Sequence, residues 1–86
     1  MDIMNELLRV FFKHKEILDS FPENRILLGN DLKWNTFFQE KNNDFIAAID
    51  SKCEELLLKY PHIHYENLMK EAAATKRKFH FLSETA

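Results

Sequence analysis

The stretch DFIAAIDSKCEELLLKYP, residues 44–61, is the clearest helical pattern in the chain. At 100° per residue seven of its apolar side chains fall within an arc of roughly 120°. Those side chains are Phe45, Ile46, Ile49, Cys53, Leu56, Leu57 and Tyr60. The pair Asn42-Asn43 is typical of a turn, Asp44 is a candidate cap, and Pro61 cannot continue a helix. We therefore predict a helix that begins near Asp44 and ends at Tyr60.

A second amphipathic pattern precedes it, from about Asp2 to Asp19. Asp2 is a plausible N-cap because its carboxylate can accept from the free amides of the first helical turn. Ser20-Phe21-Pro22 ends the helix, since a residue before proline avoids helical backbone angles. The side chains expected to face the core are Ile3, Met4, Leu7, Val10, Phe11, His14, Ile17 and Leu18.

A third pattern follows Pro61 directly. Its apolar face, roughly 140° wide, consists of Tyr65, Leu68, Met69, Ala72, Thr75, Phe79 and Leu82. The basic run Lys76-Arg77-Lys78 lies in its final turns, where cations interact favourably with the carbonyl end of a helix. Because the connection around Pro61 is short, we expect this helix to lie antiparallel to the preceding one.

Residues 22–43 allow two interpretations. In the first, Pro22 begins a helical stretch over 22–28 that Gly29 ends, and Asp31 caps a further helix. That helix carries Trp34, Phe37, Phe38 and Lys41 on one side. In the second, Arg25–Leu28 and Asp31–Thr36 form a hairpin around Gly29-Asn30. The helix is favoured, since a lone hairpin is marginal and these residues do not alternate strictly.

Together the patterns predict one domain over residues 1–86, an all-α compact antiparallel bundle of about four helices. The alternative is an α+β fold with a small hairpin around Gly29-Asn30. Gly29 is the only glycine, which excludes glycine-rich phosphate and dinucleotide loops and the nucleophile elbow. The net charge of −2 and pI near 6.1 give no general attraction to nucleic acid or anionic lipid.

Composition also indicates the compartment. No apolar run approaches the length of a membrane span. The first residues lack a basic stretch, so we expect no signal peptide and no membrane partner. Cys53 is the only cysteine and cannot form an internal disulfide. A small secreted chain would usually carry several disulfides, so we expect a reducing, cytoplasmic location.

No residue pattern indicates catalysis, a cofactor or a metal. His62 and His64 form an isolated H-x-H, without the further ligands at fixed spacing that zinc requires. Cys53 lies mid-helix on an apolar face, where a thiol is unreactive. Asp50 and Glu54 are i, i+4 neighbours on the opposite, solvated face. We therefore expect a non-enzymatic protein with no cofactor and no metal.

The basic run suggests one alternative, a nucleic-acid-binding regulator that uses the C-terminal helix. Its candidate contacts are Lys70, Lys76, Arg77 and Lys78. A helix-turn-helix contacts bases from the start of its second helix, whereas this charge lies at the end. Nearby glutamates would also repel phosphate, so the alternative ranks second and nucleic acid is an unlikely partner.

The main hypothesis comes from a surplus of large apolar side chains. The chain has eight phenylalanines, two tyrosines and one tryptophan, and several lie outside the apolar faces. Aromatic and arginine side chains are the usual anchors of protein interfaces. We expect a small interaction protein of the inhibitor, antitoxin, immunity or adaptor type, with homodimerisation as the nearest competitor. The expected anchors are Leu8, Phe12, Trp34, Leu58 and Phe81, with Arg25 and Arg77 as polar partners.

Overall fold

The computed structural model describes residues 2–21 and 31–84, and within these ranges the chain forms three α-helices and no strand. Helix α1 spans Ile3–Asp19, α2 spans Asp31–Lys59 and α3 spans Tyr65–His80. A short 3₁₀-helix, Phe81–Glu84, continues directly from α3. The prediction of an all-α fold is confirmed.

Helix α1 begins and ends where the sequence indicates. The Asp2 carboxylate accepts from the Asn5 amide at 3.4 Å, which satisfies one of the free donors of the first turn. At the other end the Ser20 amide donates to the Ile17 carbonyl at 3.2 Å. Leu7, Phe11 and Leu18 are buried, whereas Met4 and Ile17, expected in the core, are exposed.

Helix α2 corrects the predicted division of the chain. The helix is continuous through Asn42, Asn43 and Asp44, so the predicted break and the Asp44 cap are wrong. Asparagine and aspartate cost a helix interior only about 0.5 kcal/mol each, less than the burial of one large side chain provides. The inner face of α2 continues across the pair at helical spacing, through Phe38, Asn42 and Phe45, all buried.

The same helix decides between the two interpretations of the middle segment. Residues 31–36, the second strand of the hairpin alternative, lie in the first turns of α2, so that alternative is wrong. Trp34 and Phe38 are buried and Phe37 and Lys41 half-buried, on one side as expected. The predicted helical stretch over 22–28 lies outside the described residues. The count of four helices is therefore not confirmed.

The turn between α2 and α3 forms around Pro61. The Tyr60 amide donates to the Leu56 carbonyl at 2.8 Å, and the Ile63 amide to the Tyr60 carbonyl at 3.0 Å. Leu68 then donates to the His64 carbonyl at 3.1 Å and starts α3. Tyr60 and Tyr65, predicted for the core, are exposed beside this turn.

Contacts between the helices fix their directions. Glu6 lies near Lys52 while Phe11 packs on Phe45, so α1 and α2 are antiparallel. Asp50 pairs with Lys76 and Phe38 lies near His80, so α2 and α3 are antiparallel too. Helices α1 and α3 consequently run parallel to each other, and each packs against α2.

The core between them is largely aromatic. Phe79 of α3 stacks on Phe45 at 4.2 Å between ring centroids and on Phe38 at 5.8 Å. Phe11 of α1 meets Phe45 and Phe79 edge-on at 6.2 and 6.1 Å. A groove lies beside these rings, between α2 and α3.

Candidate functional site

The expected interface anchors fall in different environments. Phe12 is 55% exposed, Leu58 87% and Phe81 63%, so these three are accessible. Leu8 is half-buried and packs against the core. Arg77 is exposed, and Arg25 lies outside the described residues.

Trp34 is a core residue and not an accessible anchor. Its side chain is only 5% exposed and packs against Phe21 and Phe38 at 5.4 and 5.8 Å. The indole Nε1–H donates to the Ser83 carbonyl at 3.2 Å, which joins the start of α2 to the 3₁₀-helix. The sequence predicts a surface role for Trp34 because its segment allows two structures. In the structure α2 places the Trp34 ring in the core.

Two of the accessible anchors meet at a groove between α2 and α3. The groove has a volume of about 350 Å³, and its walls are almost entirely apolar. Phe81 and Arg77 belong to it, whereas Leu58 is twelve residues beyond Ile46, about 18 Å along α2. The lining residues are Asn42 and Ile46 from α2, Lys76, Arg77 and His80 from α3, and Phe81.

The spacing of these residues follows from helix geometry. Asn42 and Ile46 are one turn apart on the side of α2 that faces α3, and Arg77 and Phe81 are one turn apart on the opposing wall. Asn42 is buried and Ile46 half-buried, so they form the floor. The exposed Phe81 ring follows Arg77 and His80 along the α3 wall, and the groove is open to solvent.

Positive charge lies on the rim of the groove. Lys76 Nζ pairs with Asp50 Oδ1 of α2 at 2.7 Å, and both side chains are partly exposed. No carboxylate of the described residues forms an ion pair with the Arg77 guanidinium. Arg77 and Lys78 also lie in the last turn of α3, where their charge stabilises the helix end.

The four basic residues of the nucleic-acid alternative do not form one stripe. Lys76 and Lys78 project from α3 about 200° apart. Lys76 lies toward α2 and pairs with Asp50, while Lys78 Nζ lies 6.0 Å from the centre of the Phe11 ring of α1. Lys70 and Arg77 are exposed. The cations therefore point in different directions around the helix.

Other depressions have more polar walls. One, between the start of α1 and α3, is lined by Asp2, Ile3, Met4, Asn67 and Glu71. Another, on α2, is lined by Ala48, Ser51, Lys52 and Glu55. Lys52 Nζ donates a hydrogen bond to the Glu55 carboxylate at 2.6 Å and lies 3.8 Å from the Glu6 carboxylate, and the hydrogen bond to Glu55 raises the pKa of Lys52. The Lys52–Glu6 pair joins α2 to α1, and the Lys52–Glu55 pair lies within α2.

The residues that were candidates for catalysis or metal binding lie in surroundings typical of structural residues. Cys53 is 5% exposed, and burial raises the pKa of its thiol, with a smaller contribution from Asp50. His14 Nδ1 donates to the Val10 carbonyl at 2.9 Å within α1. In the part of the chain that the structure describes, no group of three His, Cys, Asp or Glu residues is placed to hold a metal ion.

The length and hydropathy of the described helices show whether any of them could cross a membrane. None of those three helices has a stretch apolar and long enough to span a bilayer.

Sequence reasoning named Phe81, Arg77 and Lys76 but not the groove they share. The helical pattern places Ile46 on the core face of its helix, and the Asn42-Asn43 pair predicts a turn where α2 is in fact continuous. The sequence does contain a signal for the α2 wall of the groove. Asn42, Ile46 and Asp50 are spaced four residues apart and therefore lie along one flank of a continuous helix. That flank becomes visible only once α2 is known to continue through Asn42.

Comparison of the chain with protein-family models, with curated proteins and with solved structures finds no match.

Proposed function

We propose that this protein is a small, non-enzymatic interaction protein that acts by binding another protein through the groove between α2 and α3. Inhibitors, antitoxins, immunity proteins and adaptors work in this way. We place it in the cytoplasm, where its one unpaired cysteine, Cys53, stays reduced.

The observation that carries the proposal is the position of Phe81. Its aromatic ring is 63% exposed and lines an apolar groove, one helical turn from Arg77. Aromatic and arginine side chains around a partly enclosed apolar surface are typical of the energetic centre of protein interfaces. An exposed ring in such a setting gains most from being covered by a partner.

Site-specific photo-crosslinking tests the proposal. A photoreactive phenylalanine replaces Phe81 in the full chain, which is expressed in its native source and irradiated. Tyr65 is the matched control, because it is also an exposed aromatic residue, 59% accessible, but lies at the other end of α3. We expect a crosslinked protein at position 81 and not at 65, identified by mass spectrometry.

The other outcomes each contradict the proposal. Crosslinks to nucleic acid would favour the regulator alternative and its cations Lys70, Lys76, Arg77 and Lys78. A product of twice the 10.3 kDa chain mass would indicate a homodimer through this groove. No crosslink at position 81, or equal crosslinks at 65, would remove the groove as the binding site.

A further inference from the structure

We infer that the groove binds an acidic amphipathic α-helix of the partner protein, and that Asp50 competes with that helix for Lys76. This inference rests on the proposed function and names the chemistry of the partner.

The charge of the groove selects an acidic occupant. Lys76 and Arg77 line it, and the one lining cation with an ion pair to a described carboxylate is Lys76, held by Asp50. The Arg77 guanidinium offers planar donors that match a carboxylate, often through two hydrogen bonds. A basic segment in the same place would meet uncompensated repulsion, which costs affinity and rejects wrong partners.

The shape of the groove selects a helix. About 350 Å³ is near the lower limit for a small-molecule pocket, and the groove lies open to solvent between the two helices. The described residues contain no strand edge to which an extended peptide could add. Instead each wall presents residues one turn apart, Asn42 with Ile46 and Arg77 with Phe81. Apolar side chains at i and i+4 of a partner helix have the same spacing.

Asp50 occupies the place that a partner carboxylate would take. Its Oδ1 lies 2.7 Å from Lys76 Nζ, and about a third of the Lys76 side chain is exposed. Exposed ion pairs of this kind are worth at most about 1 kcal/mol, so an incoming carboxylate can replace Asp50 at little cost. The intramolecular pair keeps Lys76 oriented in the free protein and lowers the affinity for the partner.

The probes are three synthetic peptides about five helical turns long. The first has leucines at i, i+4 and i+7 with glutamates on the flanks. The second has lysines in place of the glutamates, and the third is the acidic peptide with a central proline, which breaks the helix. Each is titrated into the isotope-labelled full chain, and amide chemical shifts report the site and the Kd.

We expect the acidic peptide to shift the amides of Ile46, Arg77 and Phe81, with affinity about 10-fold above that of the lysine peptide. The proline peptide should lose binding. Arg77→Glu should weaken acidic-peptide binding about 10-fold. Arg9→Glu is the control, because it makes the same charge reversal at an exposed residue of α1, and it should leave binding unchanged. Asp50→Asn should strengthen binding about 2- to 5-fold, because Lys76 is released.

Equal binding of the acidic and lysine peptides, or shifts confined to another surface, would overturn the acidic-helix assignment. Unchanged or weaker binding by Asp50→Asn would overturn the competition. If Arg77→Glu fails to fold, Arg77→Ala gives the same comparison without a charge reversal. The two proposals fail separately: a crosslinked protein at position 81 with no acidic-peptide binding keeps the function and removes this inference.

Discussion

Phe79 is the residue at which all three helices meet. It is fully buried, stacks on Phe45 and Phe38 of α2, and receives the edge of Phe11 from α1. Stacked and edge-on aromatic pairs contribute about 0.5–1.5 kcal/mol each beyond the burial of their area. The ring also lies next to His80, so the packing of Phe79 holds one wall of the groove in place.

Replacing Phe79 by leucine should lower the free energy of unfolding by about 1–3 kcal/mol, because the ring contacts are lost and a small cavity remains. Urea denaturation followed by circular dichroism measures the loss. The same substitution at Phe12, which is exposed, is the control and should change stability by less than about 0.5 kcal/mol. Equal effects at the two positions would show that Phe79 is not the central contact.

Cys53 gives a prediction for alkaline pH. Burial raises the pKa of the folded thiol above its ordinary value of about 8.5. As pH rises past that value the unfolded chain loses the proton first, so the free energy of unfolding falls. The stability that the protonated Cys53 thiol contributes is fully present below about pH 8.5. It is lost as the pH rises through the pKa of the folded thiol.

The Cys53→Ala variant isolates this effect. It should be less stable than the wild type by about 1 kcal/mol near pH 7, because the site is packed, but should lose less stability between about pH 7 and pH 9.5. Urea denaturation at both pH values measures the difference. The other titratable groups are common to the two proteins, so their contributions to the comparison cancel. An equal loss in both would mean that the thiol titrates in the folded state as it does in the unfolded one.

At the scale of elements, α1, α3 and the two helical segments within α2 could be predicted from the sequence, whereas the continuity of α2 could not. The bounds of α1 depend on local chemistry, the Asp2 cap and the residues before Pro22, which a sequence displays directly. The continuity of α2 depends on tertiary packing, because Phe38, Asn42 and Phe45 are buried by α1 and α3. Local turn preference at Asn42-Asn43 is a few tenths of a kcal/mol per residue and is outweighed. The groove could not be predicted for the same reason, since it needs α2 unbroken beside α3.

Substitutions of Asn43 test that α2 is continuous. Asn43 is exposed in the interior of the helix, so Asn43→Ala should raise the free energy of unfolding by about 0.5 kcal/mol, and Asn43→Pro should lower it by about 3 kcal/mol or more. Chemical denaturation of both variants gives the two values. If the helix instead ended near Asn42, proline would be tolerated and alanine would give no gain.

The whole molecule is an elongated bundle. Its principal extents are 51 × 17 × 16 Å and its radius of gyration is 14.8 Å, where a spherical chain of this length would have about 12 Å. An elongated shape leaves more surface per residue, which explains how a small protein exposes Phe12, Leu58 and Phe81 while it keeps a core. The question at this scale is whether the two ends of the bundle fold as one unit.

We expect them to unfold together. One series of aromatic rings links Trp34 at one end through Phe38 and Phe79 to Phe45 and Phe11 midway along the bundle. Buried Ile49, Leu56 and Leu68 continue the same core toward the other end. Trp34 is the only tryptophan, so its fluorescence reports that end alone, while far-ultraviolet circular dichroism reports all the helices. Their urea transitions should coincide, and calorimetry should give a heat-capacity change of about 1.0–1.3 kcal/mol/K for one cooperative unit. A fluorescence transition at lower urea would show that the Trp34 end unfolds independently. A midpoint that rises with protein concentration would show instead that the cooperative unit is a dimer.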